Sequence, residues 1–125
     1  MAKRDIIFVL WGECCDEAVA VAWVSRLRAE ERRVYLVSVS GRRNRGSFGI
    51  TIQPDIGLDE ALGLAAQTDL LVIPCSLDTL HSFRRDPRLD DLLLLAGQNG
   101  TRFLVHPSAQ ETVAGLLPEG TIETL

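Results

Sequence analysis

One run near the start of the chain, Asp5-Ile-Ile-Phe-Val-Leu-Trp11, constrains the fold more than any other feature of the sequence. Every residue after Asp5 is apolar, β-branched and aromatic residues dominate, and Gly12 ends the run. A short apolar run of this composition predicts a strand that is covered on both faces. Such strands occur mainly in parallel sheets with helices packed on either side.

Segments typical of strands and of helices alternate along the rest of the chain. Apolar or alternating runs predict four further strands or strand-like arms and a short terminal strand, at residues 33–40, 48–53, 69–74, 101–106 and 121–125. Helical patterns cover residues 16–30, 59–67, 80–96 and 109–117, and Pro87 is expected to interrupt the third of these. This alternation predicts one α/β domain over residues 1–125, with three layers around a doubly wound, mainly parallel sheet.

Composition narrows the class of protein. A chain of 125 residues fits one domain, and its net charge of -4 gives no reason to expect a nucleic acid partner. The apolar run is too short to span a membrane, and no export signal is visible, so we expect a cytoplasmic protein with no membrane partner. In that reducing compartment the three cysteines, Cys14, Cys15 and Cys75, are expected to be free thiols.

Doubly wound sheets bind ligands outside the carboxyl ends of their strands. The loops to compare are therefore residues 12–17, 74–76 and 106–108. They belong to an ordered set of segments: Gly12-Glu-Cys-Cys-Asp-Glu17-Ala, Pro54-Asp-Ile-Gly-Leu-Asp-Glu-Ala61, Asp69-Leu-Leu-Val-Ile-Pro-Cys-Ser76 and Phe103-Leu-Val-His106-Pro-Ser-Ala-Gln. In order and spacing this set resembles the ThiJ/PfpI superfamily, which has a flavodoxin-like, class I glutamine amidotransferase-like fold.

The resemblance implies a set of site positions and also the loss of the usual chemistry. The family's site glutamate corresponds to Glu17. The family's cysteine, on a strained turn at a helix N-terminus, corresponds to His106, and its Gly-Gly pair, which offers N–H donors to an oxyanion, corresponds to Cys75-Ser76. The histidine that in this family often follows the cysteine turn, on the next strand, would fall near Leu125, where the sequence stops. Glu17, Cys75 and His106 are therefore the candidate site residues, without the family's cysteine-dependent catalysis.

Each candidate residue has more than one interpretation. Glu17 could face the pocket, with a pKa raised by burial and a hydrogen bond to a thiol or imidazole, or it could be a helix N-terminal acid. His106 could be a general base, a metal ligand or a packed polar residue, and Ser108 is expected to cap the last helix. The cysteines could be small buried hydrophobes, a redox site or ligands of a metal.

Neither a cofactor nor a metal is predicted, because the cysteine spacing matches no zinc pattern. The arginines in the loop after residue 41, Arg42, Arg43 and Arg45, could bind an anion or simply be solvated.

The predicted function is a ligand-binding, regulatory or assembly module that takes a small-molecule ligand. The alternative is an enzyme, a hydrolase or glyoxalase-like, whose site uses Cys75 or His106 with Glu17. A homodimer is also expected, because residues 18–24 are apolar on all sides of the first helix and the resembled family is usually dimeric.

Overall fold

Six strands form one sheet in the part of the chain that the structure, a computed structural model, describes: residues 5–41, 44–117 and 121–125. The strands are β1 (Ile6–Trp11), β2 (Arg33–Ser38), β3 (Ile56–Gly57), β4 (Thr68–Ile73), β5 (Arg102–Val105) and β6 (Thr121–Thr124). The α-helices are α1 (Glu17–Ala29), α2 (Leu58–Leu64), α3 (Leu77–Phe83), α4 (Pro87–Gln98) and α5 (Gln110–Leu116). Short 3-10 turns cover Ala65–Gln67 and Pro107–Ala109.

The strand order is β3-β2-β1-β4-β5-β6, and all five neighbouring pairs are parallel. The chain first builds outward from β1 through β2 to β3. It then returns to the other side of β1 and continues through β4 and β5 to β6. This confirms the predicted α/β class with a doubly wound parallel sheet. The winding reverses between β1 and β4, so the crevice beyond their carboxyl ends is the topological switch point, where such sheets place ligands.

The centre of the sheet is β1, and each of its six residues has no exposed surface. It pairs with β2 on one side and with β4 on the other. Helix α1 contacts both β1 and β2, while α4 contacts α2 and α5. Full burial of a large apolar side chain contributes about 1.5–3 kcal/mol, so this one strand carries a large share of the core energy.

The helix predicted over residues 80–96 is two helices. Helix α3 ends at Phe83, and α4 begins at Pro87, whose missing N–H costs nothing in the first turn of a helix. Asp86 is the N-cap of α4, with its Oδ1 accepting a hydrogen bond from the Arg88 N–H at 3.0 Å. The predicted interruption near Pro87 is therefore confirmed, with Asp86 restarting the helix.

The segment at residues 48–53, predicted as a short strand or hairpin arm, is not a strand of the sheet, since β3 lies further along, at Ile56–Gly57. It belongs to a tight hairpin, which is closed by an isolated antiparallel bridge between Arg45 and Thr51 and by backbone hydrogen bonds at 2.9 and 3.1 Å. The reason is that the N–H groups of Phe48 and Ile50, which a strand would use for pairing, donate to a side chain instead.

None of the helices within the described ranges has both the length and the apolar character needed to cross a membrane.

Replacement of Leu71 tests the importance of the sheet core. Leu71 lies in β4 with no exposed surface, and a buried Leu→Ala change costs about 2–5 kcal/mol because it removes contacts and leaves a cavity. We expect Leu71→Ala to lower the free energy of unfolding in urea by that amount. The matched control is Leu95→Ala, since Leu95 is 40% exposed on α4 and should change stability by no more than about 0.5 kcal/mol. Equal effects of the two variants would contradict this packing.

Candidate functional site

The carboxyl ends of β1, β4 and β5 lie beside a cavity of about 520 Å³. Three loops contribute to its wall: the one after β1, the one after β4 and the one after β5. The side chains that could contact a ligand there are Cys14, Asp16, Trp23, Ser47, Ser76 and His106. The volume lies within the range of small-molecule sites in proteins, about 300–1,000 Å³.

His106 is the one predicted site residue that lines this cavity. Its N–H donates to the Ile73 carbonyl at 3.0 Å, which ties it to the end of β4. Its backbone angles, φ -54° and ψ 137°, are ordinary for an L-residue, so the residue does not sit on a strained elbow.

The orientation of the His106 ring is set by Ser108. The Nδ1 atom accepts the Ser108 N–H at 3.2 Å and lies 2.8 Å from the Ser108 hydroxyl oxygen. That hydroxyl already accepts the Leu77 N–H at 3.0 Å, so its single hydrogen is free to be donated to Nδ1. In the neutral ring the proton is then on Nε2, which makes Nε2 a hydrogen-bond donor.

This arrangement corrects the expectation that Ser108 caps the last helix. His106 itself is the cap of the 3-10 turn that precedes α5, while the Ser108 hydroxyl binds the first residue of α3. The serine follows the strand too closely to cap α5, since Pro107–Ala109 forms a 3-10 turn before that helix begins.

Glu17 is only 3% exposed and does not line the cavity. Its carboxylate accepts the Phe48 N–H at 3.0 Å to each oxygen and the Ile50 N–H at 2.8 Å, with the Ser47 hydroxyl at 3.4 Å. Gly46 lies so close that a Cβ at that position would overlap the carboxylate. The glutamate thus holds the segment from Arg45 to Thr51 against the start of α1.

The electrostatics of Glu17 also differ from the expectation. Burial alone would raise the pKa of this carboxyl group, as the sequence suggested for a pocket residue. The N–H donors of Phe48 and Ile50 outweigh burial because they stabilise the charged form, and the pKa of Glu17 is lowered. Its hydrogen-bond donors are Ser47, Phe48 and Ile50, and none of them is a thiol or an imidazole.

The expectation of three free thiols is wrong, because Cys15 and Cys75 form a disulfide. Their Cα atoms are 4.9 Å apart, and the two residues are 0% and 1% exposed. The carboxyl ends of adjacent parallel strands bring together two loops that are 60 residues apart in the sequence. Cys14 is the free cysteine, and it is exposed.

A metal centre finds no support among the residues that the structure describes. No group of three or more His, Cys, Asp or Glu side chains there is placed to hold an ion. Of the three loop arginines, Arg42 and Arg43 lie outside the described residues, and Arg45 is exposed.

A second cavity, of about 820 Å³, lies on the other side of the loop after β1 and shares Cys14 with the first. Two of its charged lining residues, Asp86 and Arg88, form an ion pair with each other. Arg88 pairs with Asp86 at 2.6 Å and with Asp59 at 3.0 Å, which leaves its guanidinium committed to carboxylates. The first cavity is the better candidate site, because it contains the predicted site residue His106 and is lined by the loops after β1, β4 and β5.

Several residues that line the cavity beside His106 were not predicted from the sequence. Asp16 was not among the predicted site residues; it caps α1, since its Oδ1 accepts the Val19 N–H at 3.1 Å. Trp23 and Ser47 carried no local signal, because they reach the cavity from a helix face and from the segment bound to Glu17. Ser76 lies in the segment Asp69–Ser76 that carries the resemblance, but only its neighbour Cys75 was predicted as a site residue.

Neither a protein-family model nor a curated protein sequence matches the chain significantly. Solved structures do match it. Oxidised DJ-1 of Toxoplasma gondii superposes with a TM-score of 0.75 at 19% identity, over 95% of this chain and 80% of that one. Drosophila melanogaster DJ-1beta gives a TM-score of 0.73 at 21% identity, over 93% and 60%. A two-domain Anabaena variabilis protein with DJ-1/ThiJ/PfpI-like and ferritin-like domains gives 0.74 at 14%, over 95% and 44%.

These identities are too low to carry over an activity, but the superpositions span nearly the whole chain. The protein therefore has the DJ-1/ThiJ/PfpI-like fold, as the resemblance in sequence predicted.

Replacement of Glu17 by Gln tests the role of its charge. Because the pKa of Glu17 is lowered in the folded protein, its stabilisation is present above the ordinary glutamate pKa and is lost as the pH falls through the lowered value. We expect Glu17→Gln to be less stable than the wild type at neutral pH, with the difference narrowing on acidification. Unfolding in urea, measured from neutral pH to about pH 3, checks this. A stability difference that does not change with pH would contradict the assignment.

Proposed function

We propose that this protein is a non-catalytic binding module that takes a small molecule into the cavity beside His106. The observation that carries the proposal is that the residues at the family's site positions are bonded within the chain or lack the family's strained geometry. Glu17 binds the segment after residue 45, Cys75 is in a disulfide, and His106 takes the place of the nucleophile on unstrained backbone. The cavity itself remains, at the edge where doubly wound sheets bind ligands.

The wall of the cavity indicates the class of ligand. Asp16 is its acidic residue, and no described lining residue is a lysine or an arginine. Ser47 and Ser76 add hydroxyl groups, His106 adds a donor at Nε2, and Trp23 adds a flat apolar surface. A neutral or cationic polar molecule with an apolar part fits this wall, whereas an anion would meet the Asp16 carboxylate without a counter-charge.

A charge-changing variant tests this choice of ligand. We expect neutral and cationic fragments, but not their anionic analogues, to shift the amide resonances of Asp16, Ser76 and His106 in two-dimensional NMR. Asp16→Asn removes the charge but keeps a residue that can cap the helix, so the fold should stay intact. The affinity for the cationic fragments should fall by about tenfold, which is 1.4 kcal/mol. Asp91→Asn, on the exposed surface of α4, is the matched control.

Fragments that bind only elsewhere, or anions that bind best, would contradict the proposal. The alternative is the enzyme, a hydrolase or glyoxalase-like, and the contact of 2.8 Å between the Ser108 hydroxyl and His106 is the observation in its favour. Turnover of a bound ester or of a small dicarbonyl compound, lost in His106→Ala, would establish that alternative instead. Cys75 could take part only after reduction of its disulfide.

We also propose that the protein is a homodimer through one apolar patch, formed by Val21 of α1 with Phe48 and Ile50. These side chains are 48%, 73% and 56% exposed. Val21 lies one turn after Glu17 on the same face of α1, and Glu17 binds the N–H groups of the other two. The three residues therefore lie on neighbouring surface, and a second copy of this chain would cover all of them.

Sedimentation velocity tests the dimer. We expect the wild type to sediment as a dimer and Phe48→Glu to sediment as a monomer with an unchanged far-UV circular dichroism spectrum. Leu95→Glu is the matched control, because Leu95 is also exposed but lies on α4. A wild type that stays monomeric at high concentration, or a Phe48→Glu variant that stays dimeric, would contradict this interface.

We also propose that the protein is cytoplasmic. Disulfides in that compartment are usually transient, so we expect the bond between Cys15 and Cys75 to form and break there.

A further inference from the structure

The three cysteines lie at the switch point of the sheet, where the proposed binding function uses none of their chemistry. We propose that they form a thiol–disulfide exchange site, in which Cys14 reacts with small thiols and disulfides and passes the exchange on to Cys15 and Cys75. This activity does not depend on the ligand of the neighbouring cavity.

The disulfide lies at the switch point of the sheet. Cys15 lies in the loop after β1 and Cys75 in the loop after β4, and these two strands are neighbours in the sheet. The two Cα atoms are 4.9 Å apart, within the range that a disulfide requires. The parallel pairing of β1 and β4 thus keeps the two residues close whether or not the bond is formed.

The three cysteines differ in their exposure to solvent. Cys15 and Cys75 are buried, at 0% and 1% exposure, so a thiol or disulfide in solution cannot reach either sulfur. Cys14 is exposed and is the chain neighbour of Cys15. It lines the cavity beside His106 together with Pro74 and Ser76, the two residues that flank Cys75. The exposed thiol therefore belongs to the chain neighbour of one buried cysteine and lines a cavity with the chain neighbours of the other.

The backbone of Cys14 has an unusual conformation. Its φ is 68°, in the left-handed region that glycine and asparagine favour and that a cysteine seldom adopts. Two hydrogen bonds hold this conformation: the Cys14 N–H donates to the Arg45 carbonyl at 3.0 Å, and the Cys15 N–H donates to the Gly12 carbonyl at 3.1 Å. Such outliers persist only where the surrounding structure holds them, and they occur often at functional sites.

Oxidation by a small disulfide RSSR would proceed in three exchanges. The Cys14 thiolate attacks RSSR, forms a mixed disulfide and releases one thiolate, which takes up a proton. The Cys75 thiolate then attacks the Cys14 sulfur, so that a bond between Cys14 and Cys75 forms and the second RSH leaves. Finally the Cys15 thiolate attacks the Cys75 sulfur and restores the Cys14 thiolate. In sum, two protein thiols and RSSR become one protein disulfide and two RSH, and reduction by excess RSH follows the reverse path.

Kinetics with oxidised glutathione test the proposal. The protein is reduced with dithiothreitol, desalted, mixed with oxidised glutathione, quenched with acid, alkylated and digested with trypsin. Cleavage after lysine and arginine leaves Cys14 and Cys15 in the fragment 5–26 and Cys75 in the fragment 46–84, so the two fragments are joined only by a disulfide to Cys75. In the wild type we expect a transient glutathione adduct on fragment 5–26, followed by the joined pair.

Two variants remove the proposed entry thiol. Cys14→Ser and Cys14→Gly should form the same joined pair about tenfold or more slowly, because glutathione must then reach a buried sulfur. Glycine tolerates the positive φ, so agreement between the two variants excludes backbone strain as the cause. The variant Cys15→Ser should accumulate the bond between Cys14 and Cys75, seen as the same joined fragments.

Equal rates in the wild type and in both Cys14 variants would overturn the relay, because solution disulfides would then reach the buried pair directly. A Cys15→Ser protein with native circular dichroism that collects only glutathione adducts would overturn it as well, because Cys14 would then be unable to reach Cys75.

Discussion

The complete burial of β1 is the constraint on which the rest of this structure depends. A strand with no exposed residue must be paired on both edges and covered on both faces. The chain meets this demand by building outward from β1 in two directions, first through β2 and then, on the other side, through β4. The reversal leaves a crevice at the carboxyl ends of β1 and β4, and both the cavity beside His106 and the disulfide lie there. The site is thus a consequence of how the core is closed.

At that edge, two of the three candidate residues make internal bonds: Glu17 accepts the N–H groups of Phe48 and Ile50, and Cys75 is in a disulfide. The Glu17 carboxylate is held by three donors, the N–H groups of Phe48 and Ile50 and the Ser47 hydroxyl. The segment so fixed exposes Phe48 and Ile50, so the hydrogen bonds of Glu17 hold in place the surface that we propose for the dimer. The disulfide joins the two central loops in the same way. What these bonds leave open is the cavity wall of Asp16, Ser76 and His106.

Most elements could be predicted because their signals are local. Each of these signals spans only a few residues. Examples are the apolar run before Gly12, the Asp86-Pro87 pair that starts α4 and the alternation of strands and helices. The segment at 48–53 could not be predicted in that way, since its apolar alternation is that of a strand while its N–H groups are taken by a glutamate about thirty residues earlier. Among the candidate residues, the position of His106 at the strand end followed from the sequence order, and it does line the cavity. The partners of Glu17 and Cys75 did not follow, because each is bonded to a distant segment.

By itself the sequence determined the class of the fold, the central strand and the edge of the sheet where a site would lie, because hydrophobic periodicity and strand–helix order are local properties. Only the tertiary structure decided what the residues at that edge do. Which N–H groups reach the Glu17 carboxylate, and which cysteine meets Cys75, depends on how loops far apart in the chain are brought together by the pairing of β1 with its neighbours. Burial and hydrogen bonding at those meeting points turned an expected pocket acid into a loop-binding residue and two expected thiols into a disulfide.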